Sequence, residues 1–462
     1  MWKRLVLGIG LIFLTYTLYF CNNKLHNPSA KESRSDPQLL FSKDITINLH
    51  NSFRESSNLT HVLTDGKQII LLGTRCWYDE KAREHLGVLV IIVKQDGEKT
   101  VKLIEGYTFG RRAFATIGNV LLMELRKVEK IHQTKICGFS LNDFRFIWEY
   151  SLEYPSEGFP IPWVVFENGI AVPSREGIEF IEVLSGKSIF VIPWRKIMPD
   201  VNERDKLYIA GVRDMHSMNE KKLIVFVLSR IRESPRLRKT YMICVDNFHN
   251  RLLWHKEINA LALRVDRHSI YSIEPSYLRK INILTGQTVI TRELKVAGDF
   301  LVAQDEKHIF VYTKSDNSIH CFNKRDLSDA WSSNLNIFGD RIPSIENILP
   351  ISDLMLVVSY NAYGKNAKKE LTGLVSVGCE SGKILFKVTL KGNYTLNHES
   401  PNPILLADNR IAWITVDGKD TYHIRLLNYK RTHLGEQNRT ISGRFWTSYE
   451  AGRSPYVLKN KY

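Results

Sequence analysis

The sequence predicts an all-β fold: an eight-bladed β-propeller of four-stranded antiparallel blades behind one N-terminal membrane segment, with seven blades as the fallback count. Three observations carry that reading. A polar turn leading into four or five apolar residues recurs eight times along the chain. An alternating strand, a tight turn and a further strand follow most of these. Nothing beyond the N-terminus keeps a helical apolar period for more than about two turns. The 462 residues are 44% apolar and 24% charged, which excludes wholesale disorder, and 27 Gly with 15 Pro exclude a collagenous or low-complexity chain.

The first element is the segment 1–21. Lys3 and Arg4 precede an uncharged run from Leu5 to Cys21, and a polar stretch follows to about Asp36. At about 1.5 Å rise per residue the run spans about 25 Å, short but workable for a membrane helix. The two basic residues favour an orientation with the rest of the chain outside the cytoplasm. Three fates of the segment stay open. A cleaved signal peptide wants small residues before the cut, where Leu18, Tyr19 and Phe20 stand; an uncleaved anchor suits the residues best. In a lipoprotein, Cys21 is the candidate lipidation residue, although Phe20 stands where Gly, Ala or Ser is the rule. Residues 22–38 form a polar tether, and 39–462 a single propeller domain.

Within that domain the apolar runs begin near Ile69, Val120, Ile170, Leu223, Ile270, Ile309, Leu354 and Ile411, spaced 39 to 57 residues apart with a period near 49. A shorter apolar run precedes several of them, at 60–63, 162–166, 260–263 and 403–406. Behind them come strand-turn-strand units centred on Asp143, Gly186, Phe248, Gly286, Asp326 and Gly382, where Asn, Asp and Gly supply the positive φ of a hairpin tip. Four short strands per period is the signature of a propeller blade, whose faces are buried by radial repetition. The segment 39–49 reads as an outer strand without predecessors, completing the last blade begun at Pro403, and 434–462 as an extra strand or tail.

The turns Leu184-Ser-Gly-Lys187, Leu284-Thr-Gly-Gln287 and Glu380-Ser-Gly-Lys383, with Trp148, Trp254, Trp331 or Phe386 on the strands that follow such turns, resemble the pyrroloquinoline-quinone-like (PQQ-like) propeller repeat. Cys244-Val-Asp246 and Cys321-Phe-Asn323 match its small-apolar-Asp segment. The resemblance covers nearly the whole chain beyond residue 37, through degenerate motifs. It implies the propeller fold but not the quinone: the family's dehydrogenases carry an adjacent Cys-Cys pair, and no two cysteines are adjacent here. No cofactor is expected.

No G-x-S-x-G elbow, H-E-x-x-H helix, P-loop or C-x-x-C pair occurs, so neither catalytic residues nor a metal site can be assigned. Met215, His216 and Met218 read as loop or packing residues, and Asp79, Glu80 and His85 as a solvated loop. Cys244 and Cys321 lie mid-strand in separate repeats, too far apart to bridge, and read as buried free thiols.

Charge carries the functional expectation. The net +15 comes from 64 Lys and Arg against 49 Asp and Glu. In a propeller the connections between second and third strands emerge on one face, and four of them are long here. The stretches 78–86, 126–135, 230–239 and 361–370 together hold +8, about half the excess. Arg126, Lys127, Lys130, Arg230, Arg232, Arg236, Arg238, Lys239, Lys365, Lys368 and Lys369 therefore form a candidate face for an anion or partner. An envelope protein, lipid headgroups or acidic polysaccharide would fit it. Nucleic acid is not expected, because no aromatic platform interleaves with these cations.

The expectation is a membrane-tethered, extracytoplasmic, non-catalytic scaffold of the cell envelope, resembling in architecture the propeller lipoproteins of outer-membrane β-barrel assembly machineries. The alternative is an extracytoplasmic hydrolase or lyase acting on acidic polysaccharide.

Overall fold

The computed structural model describes residues 38–49, 55–152, 163–166, 169–199, 206–210, 223–231, 238–260, 262–294, 300–335, 342–351, 355–363, 369–391, 393–395, 403–407, 410–417 and 421–430. They form eight antiparallel sheets in chain order: blade 1 (55–105), blade 2 (107–151), blade 3 (164–193), blade 4 (206–257), blade 5 (262–293), blade 6 (300–334), blade 7 (342–391) and blade 8 (393–430). Blades 1 to 7 each pair four strands in sequence order, called a to d from the innermost outward. Each recurrent apolar run falls at the start of strand b, from Ile69 in blade 1 to Ile411 in blade 8; Leu354 alone lies outside the described residues, one position before strand b of blade 7.

The b strands are continuous apolar runs because both faces are covered. In blades 5 and 6 every residue of Ser269–Glu274 and His308–Thr313 is buried. The d strands, packed on one side only, alternate, as Thr288–Glu293 does. Eight apolar clusters fill the clefts between successive blades. The one between blades 1 and 2 joins Ile70, Leu72 and Val90 to Met123, Leu125 and Phe139; the one between blades 6 and 7 joins Phe310 and Cys321 to Leu356, Val358 and Tyr360. The cluster between blades 8 and 1 joins Ile414, Ile424 and Leu426 to Leu71, Leu89 and Ile91, which closes the ring.

Closure uses the start of the chain. Gln38–Asn48 pairs antiparallel with Thr421–Lys430, from Gln38 opposite Lys430 to Asn48 opposite Thr421, and so supplies strand d of blade 8. Tyr422 locks the seam from the other side, its hydroxyl accepting from the Leu59 N–H at 3.0 Å and donating to Asn58 Oδ1 at 3.1 Å. The inner edge of blade 8 is divided: Asn393–Thr395 and Ile404–Leu405 both pair with Arg410–Asp417. Because strand c runs from the b–c connection to the opposite face, the register places Gln38 and Lys430 together on the face of the a–b and c–d turns. The described chain therefore begins and ends on that face, at Gln38 and Lys430, and not on the face of the b–c connections.

One short helix, Trp194–Ile197, follows strand d of blade 3; it buries Trp194 and Ile197 against blade 4, and Trp194 donates to the Ser174 carbonyl at 3.0 Å. No helix among the described residues is long and apolar enough to cross a membrane, and segment 5–21, Cys21 and residues 434–462 lie outside them.

The c–d turns correct one expectation. Positive φ falls on Gly186, Gly286, Gly382 and Asn250, as the sequence suggests, but in blades 2 and 6 on Phe144 and Leu327 rather than on an Asn, Asp or Gly of the tip. In five of the turns an N–H donates to the carbonyl four residues back, as from Gly186 to Glu182 and from Leu327 to Asn323. The left-handed residue is set by its place in that turn, not by its type.

Candidate functional site

The b–c connections do occupy one topological face, but the expected long loops differ among blades. In blade 2 there is no long loop: strands Val120–Lys127 and Lys130–Ser140 meet at a tight turn, with Lys127 opposite Lys130. Arg126 is half-buried and donates from Nε to Thr134 Oγ1 at 3.2 Å, while the exposed Lys127 ammonium lies 6.0 Å from the Tyr107 ring centroid. Strand extension therefore fixes these cations where a loop would leave them mobile.

Blade 4 concentrates the charge. Arg230 ends strand b one residue early and stands directly opposite Lys239 of strand c, with Ile231 opposite Arg238. Arg232 and Arg236 lie in the connection between these strands, outside the described residues, as do Lys365 and Lys368 in blade 7, where Lys369 opens strand c opposite Tyr363.

Blade 1 behaves differently. Its connection is organised by Asp79, whose Oδ1 accepts from the Lys81 and Arg83 N–H groups at 2.9 Å each and whose Oδ2 accepts from the Arg83 guanidinium at 2.8 Å and faces His85 Nε2 at 3.3 Å. Those hydrogen bonds, the Arg83 backbone first among them, hold the carboxyl at about 2. His85 stacks on Trp77 at 5.5 Å. This is a self-neutralised turn, ordered where the sequence suggested only a solvated loop.

Beside the Arg230–Lys239 pair lies a groove of about 420 Å³ between blades 4 and 5, lined by Thr240, Lys256, Glu257, Glu274 and Arg279 among others. Lys256 donates to Thr288 Oγ1 at 3.2 Å, and Arg279 pairs with Glu274 at 3.3 Å. The groove opens on the same face as the basic connections, since Thr240 is the third residue of strand c of blade 4 and Glu274 ends strand b of blade 5 there. Sequence reading missed it, because the lining comes from four strands of two blades and no local motif marks it.

Sequence also missed a side-chain chain on blade 6. Ser332 Oγ lies 3.3 Å from His320 Nδ1, and His320 Nε2 lies 3.1 Å from Asp316 Oδ2. Only the register His320 opposite Ser332 brings the pair together, so spacing gave no signal. The half-buried His320 and the exposed Ser332 stand on the two outer strands of the blade.

Between blades, a recurrent contact fixes the ring. Trp148, Trp254 and Trp331 on the d strands of blades 2, 4 and 6 donate to the carbonyls of Val183, Ile283 and Cys379 in the c–d turns of blades 3, 5 and 7, at 2.6, 2.9 and 2.6 Å. Gly186, Gly286 and Gly382 lie under these indoles; a Cβ there would come within 2.5 to 2.8 Å of a ring atom.

The chain shares its fold with BamB from Moraxella catarrhalis. The two superpose with a TM-score of 0.50 at 11% identity, over 84% of this chain and 99% of BamB. AztD from Citrobacter koseri aligns at a TM-score of 0.41 and 10% identity, over 61% of this chain and 86% of its own, and Hsv2 from Kluyveromyces lactis at 0.40 and 10%, over 72% and 99%. No protein-family model and no curated protein matches the sequence. Eight four-stranded blades and the BamB likeness fit a PQQ-like propeller. The described cysteines do not fit the quinone: Cys137, Cys244, Cys321 and Cys379 are buried in four different blades, and burial pushes the Cys137 and Cys244 thiols up to about 12.

Proposed function

We propose that this protein is a non-catalytic interaction scaffold of the cell envelope, tethered to a membrane through residues 5–21, with its propeller on the extracytoplasmic side. The b–c face takes an acidic envelope protein. The observation that carries this reading is the cross-strand opposition of Arg230 and Lys239, on the face opposite Gln38 and Lys430 and beside the groove between blades 4 and 5. An Arg and a Lys in register at the end of this ladder bring formal positive charge to the face, and the groove offers the adjoining surface that a protein side chain can enter. An anionic lipid or polysaccharide surface would use the charge but not the groove.

The test is affinity capture from solubilised envelope with the full-length chain, compared with a variant carrying Arg126→Gln, Lys127→Gln, Arg230→Gln, Arg238→Gln and Lys239→Gln. The native chain retains an acidic partner that is released as ionic strength rises, and the variant loses it. Equal capture by both removes the basic face from the function.

A second reading, an extracytoplasmic hydrolase, rests on Ser332, His320 and Asp316 alone. Their alignment would let the imidazole take the Ser332 proton while Asp316 stabilises the imidazolium. His320→Ala abolishes any ester-hydrolysing activity under that reading, and leaves partner capture untouched under the first.

A further inference from the structure

The face opposite the basic connections carries its own pattern. At the c–d turns of three consecutive blades an apolar side chain stands in solvent: Leu184 in blade 3 at 65% exposure, Phe248 in blade 4 at 67% and Leu284 in blade 5 at 48%. The corresponding turns of blades 2, 6 and 7 offer Asn142, Arg325 and Glu380 instead. Water-facing Leu and Phe at equivalent places in three neighbouring blades make an arc along one side of the ring, where the turn geometry itself demands only a left-handed residue at positions 186, 250 and 286. Beneath the arc Asp246 faces His249 at 2.7 Å and Arg251 at 3.6 Å, and Glu182 accepts from Ser185 at 2.5 Å.

Three further features meet at this face. Gln38, the residue through which the sequence stretch 5–21 is joined to the ring, stands on it at blade 8. Lys430 stands there too, and in sequence residues 431–462 hold six Lys and Arg against two Glu, with Phe445, Trp446, Tyr449 and Tyr456 among them. Blade 4, the centre of the arc, lies four blades from blade 8, half the ring away.

We infer that the c–d face is a membrane-docking surface, with Leu184, Phe248 and Leu284 entering the interfacial layer of the same bilayer that holds residues 5–21. This rests on the tethered reading proposed above. Attachment at blade 8 and contact at blades 3 to 5 are diametrically opposed, so together they lay the ring flat on the bilayer and turn the basic b–c face outward to its partner. Water-facing Leu and Phe side chains are the kind that enter the interfacial layer of a bilayer.

The test is amide hydrogen exchange on the full-length chain reconstituted into phosphatidylcholine vesicles with phosphatidylglycerol, beside the same chain in detergent. The turns 183–187, 247–250 and 283–287 exchange several-fold more slowly in vesicles, while the b–c turn 79–83 is unchanged. In the Leu184→Ser, Phe248→Ser, Leu284→Ser variant the slowing disappears although the chain still floats with the vesicles. A chain that floats with no slowing at these turns overturns the docking surface and leaves the tether standing; so does slowing that persists in the serine variant. A chain that does not float overturns the tether and this inference with it.

Discussion

A glycine and a tryptophan from different blades act as one unit in this ring. Gly186 has φ of +66°, and its missing Cβ is the space the Trp148 indole occupies. The pattern alternates: blades 2, 4 and 6 carry the indole on strand d and have no glycine at the left-handed place of their own c–d turn, and blades 3, 5 and 7 carry the glycine. Gly186→Ala meets both a strained backbone and the indole, so it lowers unfolding stability by about 2–4 kcal/mol. Trp148→Phe keeps most of the packing and loses the bond to the Val183 carbonyl, costing about 1 kcal/mol; urea denaturation of the two variants separates the terms. Asp79 offers a second test. Its carboxyl is held at about 2, below the ~3.9 of an unfolded chain. Its contribution is therefore complete above about pH 4 and is lost as pH falls through about 2. Amide signals of Lys81 and Arg83 followed by NMR show an inflection near pH 2 that is absent in Asp79→Asn; an inflection near 4 refutes the arrangement. The sequence shows the glycines and tryptophans plainly, because both are chemically distinctive. It hides the left-handed Phe144 and Leu327, because a turn closed by its own i to i−4 hydrogen bond can impose positive φ on a residue that disfavours it.

Among the elements, the b strands are the most legible and the a strands the least. A b strand is covered on both faces and must read as an unbroken apolar run, as Ile69–Leu72 does. The a strand Tyr107–Ile117 carries no such run, and in Lys206–Ala210 and Phe300–Gln304 it is only four residues long, at 207–210 and 300–303. The closing strand Gln38–Asn48 is legible for the opposite reason: alternation places Ile45 and Ile47 inward and Lys43, Asp44 and Thr46 outward. That alternation predicts the cost of breaking it. Ile45→Asp loses about 1.5–3 kcal/mol of apolar burial and adds the penalty of a buried carboxylate, whereas Thr46→Asp, on the outer side, stays within about 0.5 kcal/mol. Limited proteolysis of the Ile45 variant cuts first at the seam between blades 8 and 1; preferential cutting elsewhere would show that closure rests on other contacts.

For the whole molecule, the two opposed faces differ in composition: cationic positions and a groove on one, apolar turn tips with Gln38 and Lys430 on the other. The basic residues were legible individually, since Lys and Arg runs stand out in any sequence, but the groove and the Ser332–His320 contact depend on register between strands and left no local trace. The seam has a last consequence, in time rather than space. The strand that completes the ring, Gln38–Asn48, leaves the ribosome some 370 residues ahead of its partner, Thr421–Lys430. At roughly 5–20 residues per second, tens of seconds pass with the first strand's edge unsatisfied. Such an edge invites pairing with any other extended chain nearby. Loop closure over this separation adds only a few kcal/mol, since its cost grows as the logarithm of length. The hazard is therefore kinetic, and a chain whose synthesis stops before residue 421 leaves both edges of the gap open to a strand from another molecule.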